Sequence, residues 1–415
     1  MKKSAARKDS SGYKSSYESS LSRIEQAKQE EAARLSAEWS ESESAGQPRP
    51  CPKCGKLFSP KSRSVARTVL TKVGAVTYRR HYHYCDYCRF GFYPRDAELG
   101  LSDEDLTDDV LALALDFAVN ETFRFAAERL ELHHGVRLST TKMQHLFERQ
   151  SAPLADGETP RPVVPLPLTP RNAHQPVLIE NDGSMFRRLD CWHEAKLMRL
   201  GVVGETQSTF LAETLKTDRF EQWLRESPGY FRLRERTVLW LGDGAPYNWG
   251  LQQRLCPRAH ALVDYWHVME HVHDCGKELF GEGDECAKLF AEAAARLLLR
   301  SRSKQLIKEL NQCLALTPVG KRGESKRQAL KKLAGYLRKN ITRLNYALFL
   351  RNKWPIGSGA IESAHRWVLQ KRIKQAGMKW SAENGQRMAV ARALYASVGP
   401  HKFYEYLEKS HRLAA

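Results

Sequence analysis

The pattern of apolar residues changes at a Pro-rich, polar stretch that covers residues 151–172. Beyond it, apolar residues alternate with polar ones or form short runs, which is typical of β-strands. Helical spacing occurs between these segments in TDRFEQWLRES and APYNWGLQQRL. Strands and helices in this order predict an α/β fold. The predicted strands are QPVLIEND, EAKLMRLGVVG, STFLAETL, RTVLWLGD and HALVDYW.

Helical patterns dominate on both sides of this region, whereas the first 48 residues are rich in Ser, Glu, Lys and Arg. That composition predicts a disordered tail with a solvated helix near Leu21–Trp39. The sequence therefore predicts a multi-domain chain. Its parts are a disordered charged tail (1–48), a cysteine-bearing domain with a β-like stretch (49–98), a helical domain (99–150), a linker (151–172), a first core part (173–264), a helical insertion (265–352) and a final core part (353–415).

The formal net charge of +18 favours a polyanionic partner, with nucleic acid first and an anionic membrane second. No apolar run approaches the roughly 20 residues of a membrane span. The beginning of the chain, MKKSAARKDSSGYKSS, lacks the apolar segment of a secretory signal. We therefore expect a reducing, cytoplasmic compartment, where disulfides are rare and the nine cysteines need another explanation.

Two C-x2-C pairs, Cys51–Cys54 and Cys85–Cys88, are separated by 30 residues. Four thiolates close a tetrahedral structural zinc site, and a hairpin can fill the gap between the pairs. His81 and His83 are alternative ligands, although four cysteines form the simpler site. The other five cysteines show no pairing pattern and are interpreted as structural thiols.

The segment 121–150 fits a helix–turn–helix, with Gly135 in the turn and Ser139 or Thr140 capping the second helix. Its second helix would present Lys142, His145 and Arg149 to DNA. The alternative is a plain helical hairpin that packs on the next domain.

Three acids in separate segments could hold a divalent cation. Asp182 ends the first predicted strand and Asp243 ends a later one, and each is followed by Gly. Glu362 lies at a predicted helix start in PIGSGAIES. Carboxylates at strand ends suit Mg²⁺ or Mn²⁺, and two such ions can clamp the attacking and leaving oxygens of a phosphodiester. A lone D-G pair is most often a turn, so the hypothesis depends on the three acids together.

Basic residues follow Glu362 in the same predicted helix. Arg366 is one turn on and is expected to contact Glu362 at i,i+4 spacing. Further residues expected to meet DNA phosphates are Lys371, Arg372 and Lys374. The alternative is a solvated basic helix behind a flexible turn.

Four stretches, GDGAPYNW, LVDYWHVMEHV, WPIGSGAIES and KQAGMKW, together resemble the DDE transposases of bacterial insertion sequences. The likeness is greatest to the Kra-type group, which is related in plan to Mutator-like transposases. It implies an RNase H-like catalytic core interrupted by a helical insertion and preceded by a zinc ribbon and a helix–turn–helix. The acids of the family carry over to Asp182, Asp243 and Glu362, with Glu180 and Asp190 as neighbouring alternatives to Asp182.

The segment DYWHVMEH also contains H-x-x-E-H, an inverted zinc-peptidase pattern at His267, Glu270 and His271. A peptidase does not explain the basic charge, the paired cysteines or Glu362. The resemblance instead implies that Asp264 and His267 lie near the metal-binding acids as auxiliary residues, with Asp264 as the rival of Asp243 for the second metal position.

The resemblance thus implies a Mg²⁺-dependent DNA transposase that hydrolyses DNA at element ends and joins the freed 3′-hydroxyl to target DNA. Its expected partners are double-stranded DNA and a second copy of itself, because two ends must be brought together in a homodimer or larger synaptic oligomer. We expect it in the bacterial cytoplasm at the nucleoid, without a membrane partner. The alternative is a non-catalytic, sequence-specific DNA-binding protein derived from a transposase.

Overall fold

A computed structural model describes residues 11–41, 47–61, 64–101, 104–155, 164–215, 219–321 and 323–414. The chain divides into two compact units, Met1–Phe147 and Glu148–Ala415. The protein is a mixed α/β protein in which helices predominate.

The first unit combines short hairpins with helices. Its strands are β1 (Arg49–Pro50), β2 (Leu57–Phe58), β3 (Val65–Thr71), β4 (Gly74–Arg80), β5 (His83–Cys85) and β6 (Phe90–Phe92). The strands pair in chain order as three antiparallel hairpins, β1–β2, β3–β4 and β5–β6. Its helices are α1 (Ser11–Trp39), α2 (Pro94–Glu98), α3 (Asp108–Asn120), α4 (Phe123–His134) and α5 (Thr140–Gln150), the last of which continues into the second unit.

The helix α1 covers the free edge of β4. The hydroxyls of Ser36 and Ser40 accept hydrogen bonds from the backbone N–H groups of Thr77 (3.3 Å) and Arg79 (3.1 Å). Trp39 packs edge-to-face on Tyr78 at 5.8 Å between ring centroids. The helix predicted near Leu21–Trp39 is confirmed and begins earlier, at Ser11. The disorder predicted for residues 1–48 is wrong over Ser11–Trp39, because this polar helix packs on a strand edge and satisfies its backbone groups. Residues 1–10 and 42–46 lie outside the described part.

The second unit is built on one five-stranded mixed sheet. Its strands are β7 (Val177–Arg187), β8 (Trp192–Val202), β9 (Ser208–Glu213), β10 (Val238–Gly242) and β11 (His260–Val263). They lie in the order β11-β10-β7-β8-β9. β8 is antiparallel to β7 and β9, whereas β7, β10 and β11 run parallel. All five strands correspond to segments that the apolar pattern predicts.

Helices surround this sheet. They are α6 (Ala152–Ala155), α7 (Arg219–Glu226), α8 (Pro246–Leu255), α9 (Tyr265–Phe280), α10 (Glu285–Leu299), α11 (Ser303–Leu316), α12 (Glu324–Lys339), α13 (Tyr346–Arg351), α14 (Gly359–Ala364), α15 (Lys371–Ile373), α16 (Ala382–Val398) and α17 (Pro400–Ala414). Short 3-10 segments span Tyr230–Glu235 and Ile341–Arg343, and a π-helical turn spans His365–Gln370. Apolar side chains of α9 to α12 share one buried cluster with the sheet, so the helical insertion belongs to the same core.

The edge strand β9 is covered by α16. The hydroxyl of Ser397 accepts from the Phe210 N–H at 2.8 Å, and the Gln386 carbonyl oxygen accepts from the Thr214 N–H at 2.7 Å. These side chains replace a missing neighbouring strand, which protects this edge from pairing with another chain.

Part of the predicted linker belongs to the core. Leu166 and Leu168 are buried in the main cluster, and Asn172 accepts from the Thr169 N–H at 3.0 Å. A Pro-rich segment can be ordered when alternate apolar residues are buried, so the linker prediction is wrong for residues 164–172. Residues 156–163 lie outside the described part. Among the described helices, none is long and apolar enough to cross a membrane.

Candidate functional site

The four paired cysteines meet in the first unit. The ligand atoms of Cys51, Cys54, Cys85 and Cys88 all lie within 4.8 Å of one another. The hairpins β1–β2 and β5–β6 bring the two pairs together, and backbone N–H groups point at the sulfurs, with Cys88 N 3.2 Å from Cys85 Sγ. This cluster could hold a metal ion, and four sulfur donors are typical of structural zinc.

Hydrogen bonding distinguishes the thiols of this cluster. Burial raises the pKa of Cys51, but hydrogen bonds from the N–H groups of Lys53 and Cys54 and with the thiols of Cys85 and Cys54 together lower that pKa to about 7. Neither alternative histidine joins the cluster: His81 Nδ1 lies 2.9 Å from a Glu41 carboxylate oxygen, and His83 Nδ1 lies 2.9 Å from the Phe58 carbonyl oxygen.

The remaining cysteines differ in exposure. Cys256 and Cys275 are buried, as expected of structural thiols. The prediction that all five are structural thiols is wrong for the three exposed cysteines, because a solvent-exposed thiol does not pack in a core. These are Cys191, Cys286 and Cys313.

Three aspartates lie side by side in the second unit, where the parallel strands stop pairing. Asp243 and Asp264 directly follow β10 and β11, but the prediction that Asp182 ends its strand is wrong, because β7 continues past it to Arg187 as the partner of β8. β10 pairs with β7 through Leu241 and Glu180, and continuing this register by two residues sets Asp243 beside Asp182. β11 pairs with β10 through Val263 and Gly242, which sets Asp264 beside Asp243 in the same way. We call this row, together with Glu362, the acidic edge.

The first two aspartates are held by local contacts. Asp243 Oδ1 accepts from Asn248 Nδ2 at 2.7 Å and from the Ala245 N–H at 2.9 Å. Asp182 Oδ1 accepts from the Gly183 N–H at 2.7 Å. Asn248 is buried at the start of α8, and the sequence contained its signal within GDGAPYNW.

Glu362 lies on α14, which packs against β7 and β8. Its side chain is exposed, and among the described residues it forms no ion pair with Arg366. The expected i,i+4 contact is wrong because the π-helical turn that starts at His365 changes the angular spacing of the side chains. Across the described ranges, only the four cysteines form a His, Cys, Asp or Glu group with all ligand atoms within 4.8 Å. At least one pair of the three acids is therefore separated by more than 4.8 Å.

Asp264 has a structural contact at each carboxylate oxygen. Its Oδ1 accepts from the backbone N–H groups of Trp266 (2.6 Å) and His267 (3.0 Å), which caps the N-terminus of α9. Its Oδ2 accepts from the Ser358 N–H, in the turn before α14. Asp264 is fully buried. Asp264 thus connects the helical insertion to the turn before α14, the helix that carries Glu362.

Glu180 and Asp190, the alternatives to Asp182, have different surroundings. Glu180 is fully buried and pairs with Arg199 on β8 at 2.6 Å. Burial raises the pKa of Glu180, and the charge of Arg199 opposes this effect. Asp190 is exposed and pairs with Arg188 at 3.0 Å.

A buried histidine beside Asp182 was missed from the sequence. His365 is 2% exposed, and its Nε2 lies 3.7 Å from Asp182 Oδ2. Burial lowers its pKa, although the charge of Asp182 opposes this effect. Neither ring nitrogen has a hydrogen-bond partner among the described residues. Its spacing of three residues from Glu362 was the available signal.

The π-helical turn that carries His365 is stabilised from α16. The buried Arg392 donates from Nε to the Val368 carbonyl at 2.7 Å and from Nη2 to the Trp367 carbonyl. These bonds satisfy carbonyls in a π-helical turn, a rare form of helix that frequently occurs at functional sites. From α12, Tyr336 donates its hydroxyl to the Asp243 carbonyl at 3.2 Å.

The predicted DNA-contacting residues differ in exposure. Arg149, Arg366, Lys371 and Lys374 are exposed, and Lys142 is half-buried in an ion pair with Glu104 at 3.3 Å. The assignment of Arg372 is wrong, because its side chain is 1% exposed and packs over the Trp380 ring at 5.2 Å. His145 is exposed.

The H-x-x-E-H residues on α9 do not converge. His267 Nδ1 lies 3.2 Å from a Glu270 carboxylate oxygen, whereas the His271 ring packs on Tyr336 at 4.1 Å between centroids. Within the described ranges they join no larger group of ligand atoms at metal spacing.

Comparison with known proteins gave few matches. No family model and no curated protein matches the chain. Among solved structures, a crystal structure of NurA is similar at 15% identity and a TM-score of 0.12, covering 62% of this chain and 64% of that chain. A NurA structure bound to dAMP and manganese has 14% identity and a TM-score of 0.12, covering 69% of this chain and 62% of that one. The aligned part thus spans less than two thirds of either NurA chain.

Proposed function

We propose that this chain is an insertion-sequence DNA transposase with an RNase H-like core. The observation that carries the proposal is the strand register, which sets Asp182 beside Asp243. The helix α14, which carries Glu362, packs against β7 and β8. The strand order β11-β10-β7-β8-β9, with only β8 antiparallel to its neighbours, agrees with the core that the sequence resemblance implies.

The donor set of the acidic edge fits Mg²⁺ or Mn²⁺, because Asp182, Asp243 and Glu362 offer hard carboxylate oxygens. Such ions would polarise a phosphodiester and favour the hydroxide form of a bound water. In the first step, water attacks the phosphorus and the 3′-oxygen leaves as a hydroxyl. In the second, that hydroxyl attacks a target phosphodiester and displaces its 3′-oxygen.

The surrounding residues position the acids. Asn248 and the Ala245 N–H fix one oxygen of Asp243 and leave the other for a ligand. His365 is buried, and its Nε2 lies 3.7 Å from Asp182 Oδ2. Asp264, with each oxygen already bonded, acts on the turn before Glu362 rather than as a metal ligand.

The other parts of the chain take supporting roles in this proposal. Zn²⁺ in the four-cysteine cluster would order the first unit, and the exposed face of α5 would contact DNA at element ends. The protein would act in the bacterial cytoplasm as a homodimer or larger synaptic oligomer, since joining requires two ends. The net charge of +18 supports a nucleic-acid partner.

The test is strand cleavage and joining on duplex DNA made from the sequences that border the coding region, with Mg²⁺. We expect the parent to cut and join, and Glu362→Gln to bind the same DNA without doing either. Glu309→Gln, an equal change at an exposed position of α11, is the control and should behave like the parent. Equal activity of the parent and Glu362→Gln would overturn the three-acid site.

Two further outcomes separate the alternatives. DNA binding by the parent without nicking or joining would favour the non-catalytic DNA-binding protein. Cleavage without strand transfer would instead favour a metal-dependent nuclease.

A further inference from the structure

An arginine-rich cavity lies at the end of the sheet opposite the acidic edge. It has a volume of about 390 Å³ and is formed where the 3-10 segment Tyr230–Glu235 and the α8–β11 loop meet the first residue of β10. Its floor includes Leu233, Val238 and Leu255. We call it the arginine pocket, and its cationic residues are Arg225, Arg234, Arg236, Arg254 and Arg258.

One carboxylate holds two of these arginines. Glu221 accepts from Arg225 at 2.8 Å and from Arg254 at 2.6 Å, and Arg225 also donates to the Arg254 carbonyl at 3.0 Å. Two guanidinium groups are thereby fixed side by side in front of a single negative charge. The C-terminus of α8 beside them offsets a further part of the positive charge.

The other three arginines form no ion pair within the part of the chain that the structure describes. Arg236 donates to the carbonyl oxygens of Asn172 (2.8 Å) and Thr169 (2.9 Å), which orient it without cancelling its charge. Among the described residues, neither Arg234 nor Arg258 forms an ion pair, and both are exposed. No Asp or Glu of the described chain lines the pocket.

We propose that the arginine pocket binds backbone phosphates of double-stranded DNA, at a second contact distinct from the acidic edge. Guanidinium groups bind phosphate through paired N–H donors, and a cluster around a cavity suits adjacent phosphates along one strand. Charge complementarity favours a polyanion as the ligand. The pocket has five arginines and, within the described chain, only one carboxylate that pairs with them, Glu221, and the chain has a net charge of +18.

The position of the pocket gives it a role that the acidic edge cannot fill. Strand β10 begins at Val238 in the pocket and ends at Gly242, next to Asp243. At roughly 3.3 Å per residue, the two sites lie about 15 Å apart along the strand. A duplex held at the pocket is anchored away from the reacting phosphodiester. The choice of DNA as ligand agrees with the proposed function, but phosphate binding at the pocket does not require catalysis.

The test measures binding of a fluorescein-labelled duplex of random sequence by anisotropy, without added Mg²⁺ or Mn²⁺, between about 50 and 200 mM salt. The double variant Arg234→Ala/Arg258→Ala should bind more weakly than the parent. Its slope of log affinity against log salt should fall by about two, because each phosphate contact contributes about one. Unchanged circular dichroism and melting temperature would show that the variant is folded.

A matched control lies on the same 3-10 segment. Arg232→Ala removes one exposed charge beside Phe231 but does not line the pocket, whereas Arg234→Ala removes one that does. We expect the slope to fall by about one in Arg234→Ala and by clearly less in Arg232→Ala. If the two variants change the salt slope equally, DNA binding depends only on the overall positive charge, and the proposal that the arginine pocket binds DNA is wrong.

The remaining outcomes also decide the matter. A parent that does not bind duplex DNA, or a double variant with the parent's salt slope, would overturn the proposal. If inorganic phosphate raises the melting temperature of the parent but not of the double variant, while DNA affinity is the same in both, the pocket takes a free phosphate compound instead. Because the proposed cleavage needs Mg²⁺ or Mn²⁺ and none is added here, loss of strand transfer in the Glu362→Gln experiment leaves this test unaffected.

Discussion

The cysteine cluster and the acidic edge are both sets of potential metal ligands, yet they are assembled differently. The four thiols come from two knuckles of the first unit and lie within 4.8 Å of one another. The acids come from two strands and a short helix spread over 181 positions of sequence, from Asp182 to Glu362 counted inclusively, and they are less tightly gathered. Neutral thiols pack together readily, whereas like-charged carboxylates repel. Local spacing therefore builds the first site, and the tertiary fold builds the second.

The largest expected effect is on the first unit. Removing the metal with a chelator, or changing Cys85→Ser, should unfold the hairpins, because structural zinc contributes on the order of 10 kcal/mol to such small domains. The measurements are the zinc content of the purified protein and the resistance of the first unit to limited proteolysis. The variant Cys191→Ala changes an exposed cysteine outside the cluster and should keep both its bound zinc and its resistance to proteolysis. If the protein without zinc resists proteolysis as well as the protein with zinc, the proposed structural role of the metal is wrong.

In the second unit, the largest loss is expected from Arg199→Met. It leaves the fully buried Glu180 without its partner, which costs about 3 kcal/mol or more in the free energy of unfolding. Urea denaturation measures the change. The double variant Arg199→Met/Glu180→Leu should recover most of the stability, because it removes the stranded charge as well. No recovery would show that Arg199 acts through packing rather than through the ion pair.

A smaller loss is expected from Asp264→Asn. The amide that replaces Oδ2 cannot accept from the Ser358 N–H, so we expect a cost of about 1–3 kcal/mol. Asp274→Asn, at an exposed position of the same helix, serves as the control and should be nearly neutral. If the two variants have equal stability, Asp264 does not connect α9 to the turn before α14.

The smallest effects should have opposite signs in the two units. Gly135 ends α4 with φ of 70°, so Gly135→Ala should destabilise the first unit by about 1 kcal/mol. Gly335 lies inside α12 with no atom within 4 Å of an added Cβ, so Gly335→Ala should stabilise the second unit by about 0.5–1 kcal/mol. Thermal unfolding of each unit gives the sign, and two changes of the same sign would contradict this assignment.

The sequence by itself determined the features that depend on local spacing. Alternating apolar residues located the five strands of the sheet, because the period of side chains along a strand is intrinsic to its backbone. The C-x2-C pairs located the cysteine cluster for a similar reason, since each knuckle is complete within four residues. The segment GDGAPYNW contained both Asp243 and the Asn248 that orients it.

Only the tertiary structure decided what depends on neighbours from distant segments. Arg372 looks like a phosphate ligand in a basic run, but Trp380 and the surrounding helices bury it. Likewise, α1 has a polar composition that predicts disorder, and its serines nevertheless complete the β4 edge. His365 was not singled out until the π-helical turn placed it against Asp182. Burial and hydrogen bonding are properties of pairs of segments, so periodicity along one segment cannot reveal them.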